Sequence, residues 1–239
     1  QRQMCIRDRD DVIQSKQIIN YISQKNKNIK LYGMTDSGEE TLNLLLSEEI
    51  DIIILDLKLT GINGVEIIKT IERKNMERYK NSIIIVSGEE DMIKEVNASP
   101  YVYRYFFKPV DMCDINETIN NMIQEKKYTD IIREKIANEL SKLDFNFTHE
   151  GTNYLLECIY QVYKMKIIDN MNLSKTIYPI VARKYKKSQN TIYGDIKQAI
   201  NAMFNTCSKE ALKEYFNYNF LIKPRPKEII YTILNKISD

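Results

Sequence analysis

Histidine is nearly missing from this chain: among 239 residues His149 stands alone, and Cys5, Cys113, Cys158 and Cys207 are scattered singly with no Cys-x-x-Cys spacing. Zinc sites draw on clustered Cys and His, and Cys/His or Ser/His nucleophile systems need a partnered imidazole, so both classes are excluded and reduced thiols are expected. Long apolar runs are absent as well. No stretch approaches the roughly 18 to 20 residues that span a bilayer, and the opening QRQMCIRDR lacks the apolar core of about 7 to 15 residues of a secretory signal. A soluble, cytoplasmic protein with no membrane association is the expectation. A Gly/Pro/Ser-rich linker is also missing, so any hinge between halves is short and falls between Gln124 and Asp130.

What is present points to two modules. The length suits two domains of roughly 100 to 130 residues, and 43% hydrophobic with 28% charged residues is ordinary for globular protein. The formal charge of +2 hides an asymmetry: from Asp130 onward there are 17 Lys/Arg against 12 Asp/Glu, net +5, leaving 18 against 21, net −3, before it. A basic rear half is a candidate for a polyanionic partner, although solvated helix faces explain a modest excess equally well.

In the front half, short β-branched runs (IKLYGM from Ile29, IDIIILD from Ile50, SIIIVS from Ser82, VYRYFF from Val102) alternate with amphipathic stretches. This predicts an α/β domain with a parallel sheet, whose function gathers at the carboxyl ends of its strands. Asp56 closes one run, Ser87 another and Lys108 a third, while Asp10 and Asp11 stand where a first strand should end. The set has a chemical logic. A carboxylate attacks a phosphoryl donor only if the gathering negative charge is neutralised, and Mg²⁺ held by Asp10, Asp11 and Asp56 would do so. Lys108 and Ser87 would hold the remaining phosphate oxygens by hydrogen bonds.

With the Asp10-Asp11 pair, the run from Asp56 to Gly64, Ser87-Gly88 and Lys108-Pro109 in order, residues 10 to 127 resemble the receiver domain of two-component response regulators. The resemblance implies a doubly wound, flavodoxin-like fold over residues 1–127, phosphorylation of Asp56 by a histidine kinase or phosphotransfer protein, and a backbone carbonyl of Lys58 on the metal. Tyr105 matches the aromatic switch that turns inward with the serine. Such a domain is no enzyme beyond promoting its own phosphorylation and dephosphorylation. Two departures stand out. Leu59-Thr60 replaces the usual Met-Pro, which predicts a looser loop. Only Met4, Cys5 and Ile6 supply a first strand before a charged tail, so residues 1–9 are read as a non-native segment, and Asp10 borders it.

From Tyr128 the pattern is helical, which predicts an all-α domain over 128–239. Ile131, Ile132, Ile136, Leu140 and Leu143 form one stripe, and Tyr154, Leu155, Cys158, Ile159, Val162 and Tyr163 another. Between about 173 and 204, two helical patterns flank the polar break KKSQN, with Ser188 as cap. That predicts a helix-turn-helix, in which Gln189, Asn190, Thr191 and Tyr193 lead the second helix toward base edges, Lys197 lies further along it, and Arg183, Lys184, Lys186 and Lys187 form a basic rim for phosphates. A plain helical hairpin with solvated lysines fits the same pattern.

The residues Tyr154 to Tyr163, Thr176-Ile177-Tyr178-Pro179 with Ile180, Ala182, Lys184 and Tyr185, and Ile192, Ile196, Ala199 and Ile200 carry a resemblance that favours the helix-turn-helix over the plain hairpin. Over roughly residues 131 to 237 they resemble the effector domain of the master response regulators of sporulation initiation in endospore-forming bacteria. The resemblance implies a transcription factor that forms a homodimer when phosphorylated and binds double-stranded DNA. Its departures fall on the reading helix: Thr191, Tyr193 and Gly194 stand where the family carries arginines and a glutamate, while Lys197 keeps a charge. Each lost arginine–guanine contact costs about 1 to 3 kcal/mol of discrimination, so weak binding to the family's usual promoter box is expected. The alternative is a receiver-controlled protein-interaction module that no longer reads DNA specifically. Substituting Lys186 and Lys187 separates the two, because only a DNA-binding protein would lose general DNA affinity.

Overall fold

The structure, a computed structural model, describes residues 2–6, 12–27, 29–217 and 222–238, with 2–6 and 12–15 described by their backbone. Contacts divide the chain into two units, 1–124 and 125–239.

In the first unit, β1 (Arg2–Ile6), β2 (Ile29–Met34), β3 (Ile52–Leu55), β4 (Ile83–Ser87) and β5 (Val102–Phe107) form one parallel sheet in the order β2-β1-β3-β4-β5. The last four were legible as β-branched runs. β1 pairs with both neighbours over Arg2–Ile6 despite its meagre apolar content, and Arg7, Asp8 and Arg9 lie outside the described residues. The helices are α1 (Val12–Lys25), α2 (Gly38–Ser47), α3 (Gly64–Arg73), α4 (Glu90–Val96) and α5 (Met112–Lys142). The period-2 alternation of a strand divides the all-apolar runs between two layers. Ile53, Leu55, Ile83 and Ile85 pack with Leu45, Ile67, Ile68 and Ile71, whereas Ile52, Ile54, Ile84 and Val86 pack with Ile18, Ile22, Ile115 and Ile119. Helices on both faces explain why these strands carry no polar alternation.

The segment Gln124–Asp130, expected to hold a hinge, is helical throughout, because α5 continues to Lys142. The second unit contains the remainder of α5 with α6 (Glu150–Met165), a wide π-type turn at Leu173–Ile177, α7 (Tyr178–Tyr185), α8 (Gln189–Thr206), α9 (Lys209–Phe216) and α10 (Pro226–Ser238). Ile132, Ile136, Leu140 and Leu143 enter its core with Leu155, Ile159, Val181, Ile196, Ile200 and Ile233, but Ile131 is exposed. At one crossing α6 and α8 come unusually close: a Cβ added to Gly151 would lie 2.0 Å from the carbonyl oxygen of Asp195. Only glycine allows that approach.

Candidate functional site

Asp56 follows β3, Ser87 ends β4 and Lys108 follows β5, so three adjacent parallel strands deliver three chemical groups to one sheet end. Asp56 is 3% exposed. A carboxylate withdrawn from water is costly unless partnered, and both of its oxygens are engaged: the Lys58 N–H donates to Oδ1 at 3.1 Å, and Lys108 Nζ lies 2.9 Å from Oδ2. Ser87 is fully buried, and its Oγ accepts the N–H of Glu89 at 3.3 Å. The Lys108 N–H donates to the Ser87 carbonyl at 3.2 Å, which fixes the lysine's backbone beside the serine. The Lys108–Pro109 peptide is cis. Lys58 turns its ammonium outward to Glu89, 3.4 Å away, joining the loops after β3 and β4.

The loop after Asp56 is not loose. The Thr60 N–H donates to the Asp36 carbonyl at 3.2 Å, the Gly38 N–H donates to the Thr60 carbonyl at 2.9 Å, and the Thr60 hydroxyl also donates to Asp36. A proline could supply neither the N–H nor the hydroxyl, so this departure from Met-Pro ties the loop instead of freeing it. Gly64 completes it: a Cβ there would stand 2.6 Å from the Asp56 carbonyl oxygen and 2.8 Å from the Leu57 Cα. Tyr105 is exposed on β5, edge-on to Phe107 with ring centroids 5.8 Å apart.

Asp10 and Asp11 lie outside the described residues, so two of the expected metal ligands have no placement. Among the described residues no group of three or more His, Cys, Asp or Glu could hold a metal. The oxygen donors of Asp56 and the Lys58 carbonyl do suit a hard divalent cation such as Mg²⁺.

The second surface is built on α7 and α8. α7 ends with Lys186 in the left-handed region (φ 54°), and the chain turns through Lys187 to Ser188, whose Oγ accepts the Thr191 N–H at 3.0 Å and caps α8. Ile192, Ile196, Ala199 and Ile200 face inward, while Gln189, Asn190, Thr191, Tyr193 and Lys197 are exposed. Arg183, Lys186 and Lys187 are exposed too, Lys187 3.7 Å from Glu150. Tyr193 leans against Tyr178, with ring centroids 5.9 Å apart, and Lys197 Nζ sits 5.3 Å over its ring.

Lys184 does not join this rim, contrary to the expectation from spacing. Its ammonium is 2.5 Å from the carboxylate of Glu157, which Arg133 also reaches at 2.7 Å and Gln161 at 2.7 Å. Glu157 is fully buried. Burial alone would raise its carboxyl, but Lys184, Gln161 and Arg133 together hold it below the ordinary range. Sequence reading passed over Glu157, although its place inside the stripe from Tyr154 to Ile159 was a signal: an acid three residues after one buried position and one before another must find cations. Gly194 is open, with nothing within 4 Å of an added Cβ, so close packing against another described helix does not explain it.

A family model described as "Response regulator receiver domain" matches residues 8–120, and one described as "Sporulation initiation factor Spo0A C terminal" matches residues 136–237. Similar solved structures include the receiver domain of the Francisella response regulator 1452, which is 20% identical with a TM-score of 0.42, covering 53% of this chain and 99% of that one. A DNA-binding response regulator of the LuxR family from Staphylococcus aureus is 20% identical with a TM-score of 0.43, covering 50% and 96%. A signal receiver domain of an HD domain-containing protein from Pseudomonas fluorescens Pf-5 is 18% identical with a TM-score of 0.45, covering 54% and 98%. Among the described residues, no helix is long and apolar enough to cross a membrane.

Proposed function

We propose, for a chain that belongs to the response regulators and joins a receiver domain to a Spo0A-type C-terminal domain, that Asp56 is the phosphoryl acceptor and the α7–α8 pair a helix-turn-helix that binds DNA. The protein is a phosphorylation-controlled transcriptional regulator of the sporulation type. In this reading residues 1–127 form the receiver and 128–239 the effector.

The observation that carries the acceptor assignment is the pairing of buried Asp56 with half-buried Lys108 at 2.9 Å, at the shared end of β3, β4 and β5, where the strand bearing Ser87 lies between the other two. An Asp56 oxygen attacks the phosphorus of a phosphohistidine on a histidine kinase or phosphotransfer protein. The O–P bond forms as the P–N bond breaks, and the bonding pair leaves on the imidazole. Lys108, already charge-paired with the carboxylate, is in reach of the added phosphoryl oxygens, and the Ser87 hydroxyl donates to another of them. Asp10, Asp11, Asp56 and the Lys58 carbonyl would hold Mg²⁺, whose charge would offset the negative charge that gathers there. Tyr105 moves inward with Ser87, and the phosphorylated chain dimerises on DNA.

On the effector, Arg183, Lys186 and Lys187 meet phosphates, while Gln189, Asn190, Thr191, Tyr193 and Lys197 approach the bases. Lys184 is assigned to Glu157 instead. The test uses acetyl phosphate as donor and captures genomic fragments with and without it. The parent chain should become labelled and enrich a defined set of fragments, and Asp56→Asn should do neither. Labelling that persists in Asp56→Asn overturns the acceptor assignment, and no enrichment in either state overturns the DNA-binding one.

A further inference from the structure

Beside the leading end of α8 lies a cleft of about 330 Å³ that the HTH pattern does not account for. One wall carries Gln189, Asn190 and Tyr193; the other is the start of α10, with Arg225 and Lys227. Both cations are exposed, and among the described residues neither is ion-paired with an acid. The nearby carboxylate of Glu228 is occupied in accepting the Arg225 backbone N–H at 2.7 Å, which caps α10. The approach to α10 is itself held in place: Pro224 is buried, and Lys223 Nζ donates to Asn201 Oδ1 on α8 at 2.9 Å. Two unspent positive charges are therefore placed alongside Gln189, Asn190 and Tyr193, in a cleft that neither Lys186 nor Lys187 lines.

We propose that Arg225 and Lys227 form a second basic rim that binds the sugar-phosphate backbone of the DNA entered by α8. The inference rests on the DNA-binding reading above and adds a second contact surface to it. A helix seated in the major groove has a phosphate strand on either side. Arg183, Lys186 and Lys187 supply cations before α8; a reading helix with no arginine of its own gains its hold from cations across the cleft. Such contacts carry no base information and raise affinity equally on all sequences.

The experiment measures binding of the phosphorylated full chain to a captured duplex and to a scrambled one across a salt series. Each phosphate contact contributes about −0.9 to the slope of log K against log salt. Arg225→Ala/Lys227→Ala should flatten the slope by about 2 on both duplexes, whereas Arg225→Lys/Lys227→Arg should keep it. Lys186→Ala/Lys187→Ala serves as the control. If that control flattens the slope and Arg225→Ala/Lys227→Ala does not, the inference fails and the DNA-binding reading stands; if the parent binds no duplex, the reading itself fails. A readout without substitution guards against misfolding: Lys227 of the parent chain should be protected from acetic anhydride by bound duplex, and equal modification with and without duplex overturns the inference.

Discussion

At the scale of single residues, the most informative ones were legible to different degrees. Asp56, Ser87 and Lys108 could be placed from sequence because each closes an apolar run, and strands in a parallel sheet must end on the same side. Lys184 could not, since its neighbours in sequence are exposed lysines and its partner, Glu157, sits 27 residues earlier on another helix. Gly194 gives a clean prediction. It lies within α8, an added Cβ would meet nothing within 4 Å, and glycine in a helix interior costs about 1 kcal/mol relative to alanine. Gly194→Ala should therefore stabilise the protein by about that amount in denaturant unfolding. A loss of stability would mean that the open space is not available to a methyl group. If DNA affinity falls while stability rises, the glycine serves close approach of the α8 backbone to DNA.

At the scale of elements, β2 through β5 and the α7–α8 pair follow from β-branched runs, apolar period and the Ser188 cap. What no local pattern reveals is how elements lock together, because those contacts join residues far apart in sequence. The Glu157 cluster is the main case: it fastens α5 through Arg133 and α7 through Lys184 onto α6. Its carboxyl is lowered on folding. Its contribution is accordingly complete above the ordinary glutamate value, about 4.3, and is lost as pH falls through the lower folded value. Glu157→Gln removes the charge that two cations share. Since Arg133 and Lys184 are 28% and 34% exposed and can recover some hydration, the expected loss near neutrality is about 2 to 3 kcal/mol. Unfolding measured at pH 7 and again near pH 3 checks both the size and the sign: the gap between parent and variant should narrow in acid. A gap that stays constant would mean the carboxyl gains nothing from its partners.

At the scale of the whole molecule, the buried apolar side chains of the described residues fall into three clusters. Two flank the sheet within residues 18–122, and the third lies within residues 132–237. Each unit thus has a core of its own. A protein with separate cores unfolds in separable steps unless a large shared surface couples them. Two glycines offer a lever on each core, because both are pressed against backbone that cannot move aside as a side-chain tip could. Gly64→Ala forces a methyl group to within 2.6 Å of the Asp56 carbonyl oxygen, and Gly151→Ala forces one to within 2.0 Å of that of Asp195. Overpacking of this kind costs about 1 to 3 kcal/mol, and the closer approach should cost more. Calorimetry of the full chain should show two transitions, with Gly64→Ala lowering one and Gly151→Ala the other. A single transition lowered by both substitutions would show that the cores melt as one cooperative unit, and phosphorylation at Asp56 would then be felt directly in the stability of the effector.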